Sequence, residues 1–145
     1  MNNSTSLKNI VLYADDDQDD LQLVRDAFEE YKSVIELRTV NDGVEAISCL
    51  KKILDENIVP CLIILDINMP RMNGKEALIR LRQMKQLETV PVILFTTSSS
   101  IVDKRFAGEH NASFITKPID TTQLNSISQK FLDKCNLKMN GKNGQ

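Results

Sequence analysis

The stretch YADDDQDD, Tyr13 to Asp20, puts five aspartates into six consecutive positions directly behind the apolar run NIVLYA. Another apolar run, CLIILD, ends on Asp66; a third, PVILFT, ends on Thr96; and Lys117 follows ASFIT. If these points converge, Asp15, Asp16 and Asp66 form a cluster of carboxylate oxygens. Such a cluster suits a hard divalent cation, Mg²⁺ with Mn²⁺ as the other candidate, which keeps waters and phosphoryl oxygens in its shell. A lysine ammonium and a threonine hydroxyl would hold the remaining phosphoryl oxygens. The rival reading is a calcium loop, because Asp15, Asp17 and Asp19 fall at loop positions 1, 3 and 5. It fails at position 6, which needs glycine and is Asp20, and at position 12, which needs glutamate and is Asp26.

The elements that must bring these residues together follow from hydrophobic periodicity. Residues 9–14, 35–40, 61–66, 91–96 and 112–116 read as strands, the third and fourth as unbroken apolar runs expected of central parallel strands. Between them Leu21, Val24, Phe28 and Tyr31, then Ile47, Leu50 and Leu54, then Ala77, Leu78 and Leu81 recur three or four apart, as do Leu124, Ile127, Phe131 and Cys135 at the end. Asp42 before Glu45, Asn73 before Glu76 and Asp120 before Gln123 resemble capping boxes at helix starts. The fourth helix, about 99–110, has only Ile101, Val102 and Phe106 as apolar anchors. Five strand-then-helix units with right-handed crossovers predict a doubly wound α/β fold with a five-stranded parallel sheet. Such sheets carry their sites at the carboxyl ends of the strands, where Asp15, Asp16, Asp66, Thr96 and Lys117 stand. Within the acidic run, Asp17 is then a helix cap, and Asp19 and Asp20 are first-turn acids facing the positive end of the helix dipole.

The 145 residues, 41% hydrophobic, fit one domain over 9–136 with flexible polar ends at 1–8 and 137–145. A formal net charge of −2 gives no field to draw nucleic acid or an anionic membrane. No apolar run reaches eighteen residues and no signal peptide is visible, so the expected location is cytoplasmic. Cys49, Cys61 and Cys135 lack metal-ligand spacing and read as reduced packing residues. His110, the one histidine, reads as a helix-end surface residue without a catalytic role.

The ordered motifs VLYADDD, LIILDINMPRMNG, PVILFTTSS and FITKPID resemble, over nearly the whole chain, the receiver domain of two-component response regulators. The wording of FTTSS and ITKPID is similar to small receivers of the phytochrome-associated type. The resemblance implies the flavodoxin-like strand order 2-1-3-4-5 and Asp66 as phosphoacceptor. It gives Asp15, Asp16 and Asp66 to the metal, joined by the backbone carbonyl of Asn68. It makes Thr96 the switch hydroxyl, Phe114 the switch aromatic and Lys117 the phosphate-binding lysine, followed by a cis peptide at Pro118. Asn68 and Ser98 would tune dephosphorylation. In the loop EHNASF, Asn111 stands where the family commonly has glycine, and asparagine tolerates the left-handed conformation a helix end needs. The family's partners would be a histidine kinase or a histidine phosphotransfer domain upstream. Downstream, a protein target or self-association would use the fourth helix, fifth strand and fifth helix. Two other functions fit some of these residues: a metal-dependent phosphohydrolase with an aspartate nucleophile, and a receiver-like binding module that is not phosphorylated. The first would place its nucleophile after the first strand, and the second has no need of an intact acid pair, acceptor, threonine and lysine.

Overall fold

The computed structural model describes residues 8–118 and 123–135. The polar ends and the cap pair begun by Asp120 lie outside these residues. Five strands, β1 (Asn9–Ala14), β2 (Ile35–Val40), β3 (Leu62–Leu65), β4 (Val92–Thr96) and β5 (Ser113–Thr116), form one sheet in the order β2-β1-β3-β4-β5, with every neighbouring pair parallel. The intervening helices are α1 (Gln18–Phe28), α2 (Gly43–Asp55), α3 (Gly74–Arg82), α4 (Ile101–Glu109) and α5 (Leu124–Cys135). Tyr31 falls in a short 3₁₀ turn that extends α1.

Strand alternation builds a core on each face of the sheet. Leu12, Ala14, Ile63, Leu65, Val92 and Leu94 pack with Ile47, Leu50, Leu78 and Leu81 of α2 and α3. Val11, Tyr13, Leu62, Ile64, Ile93 and Phe95 pack with Leu21, Val24 and Phe28 of α1 and with Ile127 and Phe131 of α5. All four residues of β3 and all five of β4 are buried, as their unbroken apolar runs predict.

Two parts of the sequence reading need correction. Ile101 and Val102 do not anchor α4: they are 70% and 66% exposed, and the helix rests on buried Ala107 and half-buried Phe106. Their wrong assignment has a simple cause, since with so few apolar residues in the helix, periodicity alone could not tell the inner face from the outer. The cysteines are not all reduced. Cys61, just before β3, is disulfide-bonded to Cys135, the last residue of α5, with Cα atoms 4.9 Å apart, leaving Cys49 free. Spacing hid the pair, because the partners are 74 residues apart and meet only when the last turn of α5 lies over the start of β3.

The loop between β3 and α3 is pinned at both ends. Asn73 and Glu76 form a full capping box at α3. Gly74 N–H donates to Ile67 O at 2.8 Å, so close that a Cβ on Gly74 would overlap the Asp66 carbonyl oxygen. Gly43 N–H bonds Met72 O at 2.9 Å, and Arg71 (φ 65°) holds Asp42 at 2.8 Å. Gly74→Ala is therefore expected to cost about 1–3 kcal/mol by overpacking against backbone. The measurement is a denaturant midpoint, and a midpoint equal to wild type would show that the loop has room to move.

Arg82, at the end of α3, is a second fastening. Its guanidinium donates to Leu87 O (2.7 Å), Glu88 O (3.3 Å), Val90 O (2.8 Å), His110 O (3.2 Å) and Asn111 O (2.7 Å). Asn111 has φ 56°, the left-handed conformation foreseen for it.

Candidate phosphotransfer site

The sheet hydrogen bonds run past the strand ends and carry the polar residues with them. Asp15 N–H donates to Val40 O (3.1 Å), Asp66 N–H to Ala14 O (3.0 Å) and Lys117 N–H to Thr96 O (2.8 Å). Asp15, Asp66, Thr96 and Lys117 are all buried, and they stand on the carboxyl edge around the crevice between β1 and β3. Strand parity decides between the adjacent threonines, because Thr96 is fully buried and Thr97 faces solvent.

Asp15, Asp16 and Asp66 each offer a carboxylate oxygen within 4.8 Å of the others. Two of the three are buried, and an all-oxygen anionic set of this kind matches the preference of Mg²⁺ or Mn²⁺. Burial, and then the negative charge of Asp15, push the Asp66 carboxyl up to about 6 against the opposing pull of Lys117. A cation must compete with that proton. Divalent affinity is thus expected to be flat above about pH 7 and to fall roughly tenfold per unit below about 6. Calorimetric Mg²⁺ titrations at pH 5, 6, 7 and 8 check this, and equal affinity at pH 5 and 8 would contradict it.

Lys117 is the basic partner of the cluster. Its Nζ lies 2.7 Å from Asp15 Oδ2, 2.7 Å from Asp20 Oδ2 and 3.4 Å from Asp66 Oδ2. Burial alone would favour the neutral amine, but the hydrogen bonds to Asp15 and Asp20 outweigh it and hold the ammonium above its usual range. Asp20 is therefore more than the dipole-facing first-turn acid read from the sequence. Asp17 does cap α1, accepting from Asp19 N–H and Asp20 N–H. Tyr13, fully buried, donates its hydroxyl to Asp15 Oδ2, while Asp17 N–H serves Oδ1 at 2.9 Å. Sequence reasoning missed Tyr13, although a phenol two residues before a buried acid, on the same strand face, was a usable signal.

Asn68 is exposed on the loop two residues past Asp66. Ser98 N–H donates to Thr96 Oγ1 at 3.3 Å, and Ser98 Oγ donates to Asp103 Oδ2 at 2.6 Å, where Lys75 also pairs. Phe114 is half-buried on β5 against the α2 and α3 side of the core. The Lys117–Pro118 peptide is trans, not cis. The two isomers of such a bond differ by only about 1 kcal/mol, so local packing, not the residue pair, selects between them. His110 ends α4, its ring stacked on Phe106 at 4.1 Å and Nδ1 2.9 Å from Phe106 O, away from the acids as expected.

Clustered carboxylates that call for a cation, with a buried lysine beside two of them at the carboxyl edge of a 2-1-3-4-5 sheet, are the equipment of a two-component signalling receiver. Residues 11–129 match the response regulator receiver domain, and the chain belongs to that family. It is 29% identical over 100 residues to the response regulator Rcp1 of Synechocystis, covering 68% of each chain. Its fold is similar to the crystal structure of the phosphorylated cyanobacterial phytochrome response regulator RcpA, with TM-score 0.77, 27% identity and coverage of 86% of this chain and 91% of that one. The Mn²⁺-bound form of Rcp1 gives TM-score 0.74 and 29% identity, covering 84% and 90%. Among the described residues, no helix is long and apolar enough to cross a membrane.

Proposed function

We propose that the protein accepts a phosphoryl group on Asp66 from a histidine kinase or histidine phosphotransfer domain and signals through the surface this modification reshapes. One observation carries the reading: the buried Asp66 carboxylate sits 3.4 Å from Lys117 Nζ and shares a cluster with Asp15 and Asp16. An Asp66 oxygen attacks phosphorus, the O–P bond forms as the N–P bond breaks, and the donor imidazole leaves with the bonding electron pair. Asp15, Asp16 and Asp66, with the Asn68 carbonyl, would hold Mg²⁺, which neutralises charge on the phosphoryl oxygens when bound. Lys117 takes one of those oxygens and the Thr96 hydroxyl another. Asn68 and Ser98, two residues beyond Asp66 and Thr96, tune the lifetime of the acyl phosphate. Movement of Thr96 and Phe114 passes the change to α4, β5 and α5, in a cytoplasmic setting. The domain, 9–136, thereby catalyses its own modification and turns over no other substrate. A phosphohydrolase of the aspartate type is disfavoured, since its nucleophile would follow β1, and there the Asp15 carboxylate is already engaged by Tyr13 O–H, Asp17 N–H and Lys117, whereas Asp66, after β3, has among the described residues only the 3.4 Å ion pair with Lys117 on its side chain.

The test is chemical. Purified protein with Mg²⁺ and acetyl phosphate should gain one phosphoryl group per chain, stable in acid and released by hydroxylamine. Multiple turnover of a phosphoester with no retained label would overturn the reading. Lys117→Ala should still bind Mg²⁺ but label on the order of a hundredfold more slowly, as expected when one charge-stabilising donor is lost.

A further inference from the structure

Two overlapping sets of acids meet in the site. The cluster suited to a cation contains Asp15, Asp16 and Asp66. The set around the Lys117 ammonium contains Asp15, Asp20 and Asp66. Asp20 is the member that belongs to the lysine alone. Its side chain, 27% exposed, reaches from the first turn of α1 to Lys117, whose own side chain is 6% exposed.

The difference between the two sets matters once a cation binds. An ammonium has three N–H donors, and here three carboxylates surround it: Asp15 and Asp20 accept hydrogen bonds at 2.7 Å, and Asp66 adds an ion pair at 3.4 Å. A divalent ion drawing on Asp15 and Asp66 takes charge from two of those three, and a buried ammonium stripped of acceptors is costly. Asp15 has Tyr13 O–H and Asp17 N–H to fall back on, so it tolerates the loss of the lysine. Lys117 has Asp20. From this geometry, and resting on the phosphoacceptor reading of Asp66, we infer that Asp20 is a positioning residue. It holds the Lys117 ammonium at the flank of the site, so that the cation can occupy Asp15 and Asp66 while the lysine stays beside the acceptor. Without Asp20 the lysine settles fully on Asp15 and Asp66 and competes with the cation. First-turn placement does not account for this contact, because Asp19 has the same placement and only Asp20 meets the lysine.

The experiment is a double-mutant cycle read by calorimetric Mg²⁺ affinity on the full chain: wild type, Asp20→Asn, Lys117→Met and the double variant, with Asp19→Asn as charge control. Asp20→Asn is expected to weaken Mg²⁺ about fivefold, a coupling of ordinary size for groups in contact. Asp19→Asn should stay within about twofold, and the Asp20→Asn effect should vanish in the Lys117→Met background. At saturating Mg²⁺, Asp20→Asn should also slow labelling by acetyl phosphate while leaving its final stoichiometry at one. Persistence of the effect without the lysine would make Asp20 a ligand or a mere source of field and overturn the inference. So would unchanged affinity. Asp20→Ala enters the same cycle should the asparagine variant fail to fold. If Asp66→Asn still accepts label, the phosphoacceptor reading fails, yet the Mg²⁺ cycle is still read without it.

Discussion

Asp66→Asn is expected to abolish stoichiometric labelling by acetyl phosphate or a phosphohistidine donor. The carboxamide keeps the shape of the side chain but is a poor nucleophile and cannot form the acyl phosphate. The same variant should gain stability in chelator at pH 8. Asp66 titrates at about 6 in the fold, above its ordinary 3.8, so its ionisation is disfavoured by folding and weighs against the native state at higher pH. The neutral amide avoids that cost, worth at most about 3 kcal/mol at 1.36 kcal/mol per unit. The gain should shrink steadily as pH falls from 6 toward 4, and vanish only below the ordinary 3.8, where the wild-type carboxyl is protonated in both states. Intact-mass measurement and melts across pH 4–8 check both halves. Full labelling of the variant would move the acceptor elsewhere.

Reduction should have the largest effect on the fold itself. The Cys61–Cys135 bridge closes a loop across 74 residues, and in the chain-entropy model a loop of that length restricts the unfolded chain by about 4 kcal/mol. For a chain of this size that corresponds to a fall in Tm on the order of 10 °C in reductant. Cys135→Ser should melt at the reduced value and ignore reductant, whereas Cys49→Ser should behave as wild type. A melting curve that reductant leaves in place would show that the bridge adds nothing to stability.

What was legible in the sequence was whatever repeats locally. NIVLYA and IELRTV are strands at the expected boundaries because each run alternates or buries as a unit, and the Asn73 cap and the Asp15, Asp16 and Asp66 cluster followed from residue type at strand ends. What stayed hidden depends on partners far along the chain. Asp20 and Lys117 are 97 residues apart, and nothing near either one announces the other. The cysteine pair is hidden in the same way. In α4 the missing information was directional, since one buried alanine and one half-buried phenylalanine leave little periodicity to read.

The five carbonyl oxygens gathered by Arg82 have a mechanical consequence. They come from the two segments that lead into β4 and β5, so both are riveted to the end of α3 and cannot drift independently. His110 and Asn111 lie at the exit of α4, whereas its entrance is tethered by the side-chain contacts of Asp103 with Ser98 and Lys75. The exit of the helix is thus held through main-chain carbonyls, its entrance only through side chains that a local change can rearrange. On the proposed reading, a displacement at Thr96 would reach that entrance through Ser98 and Asp103, and the entrance carries the two bare side chains of Ile101 and Val102.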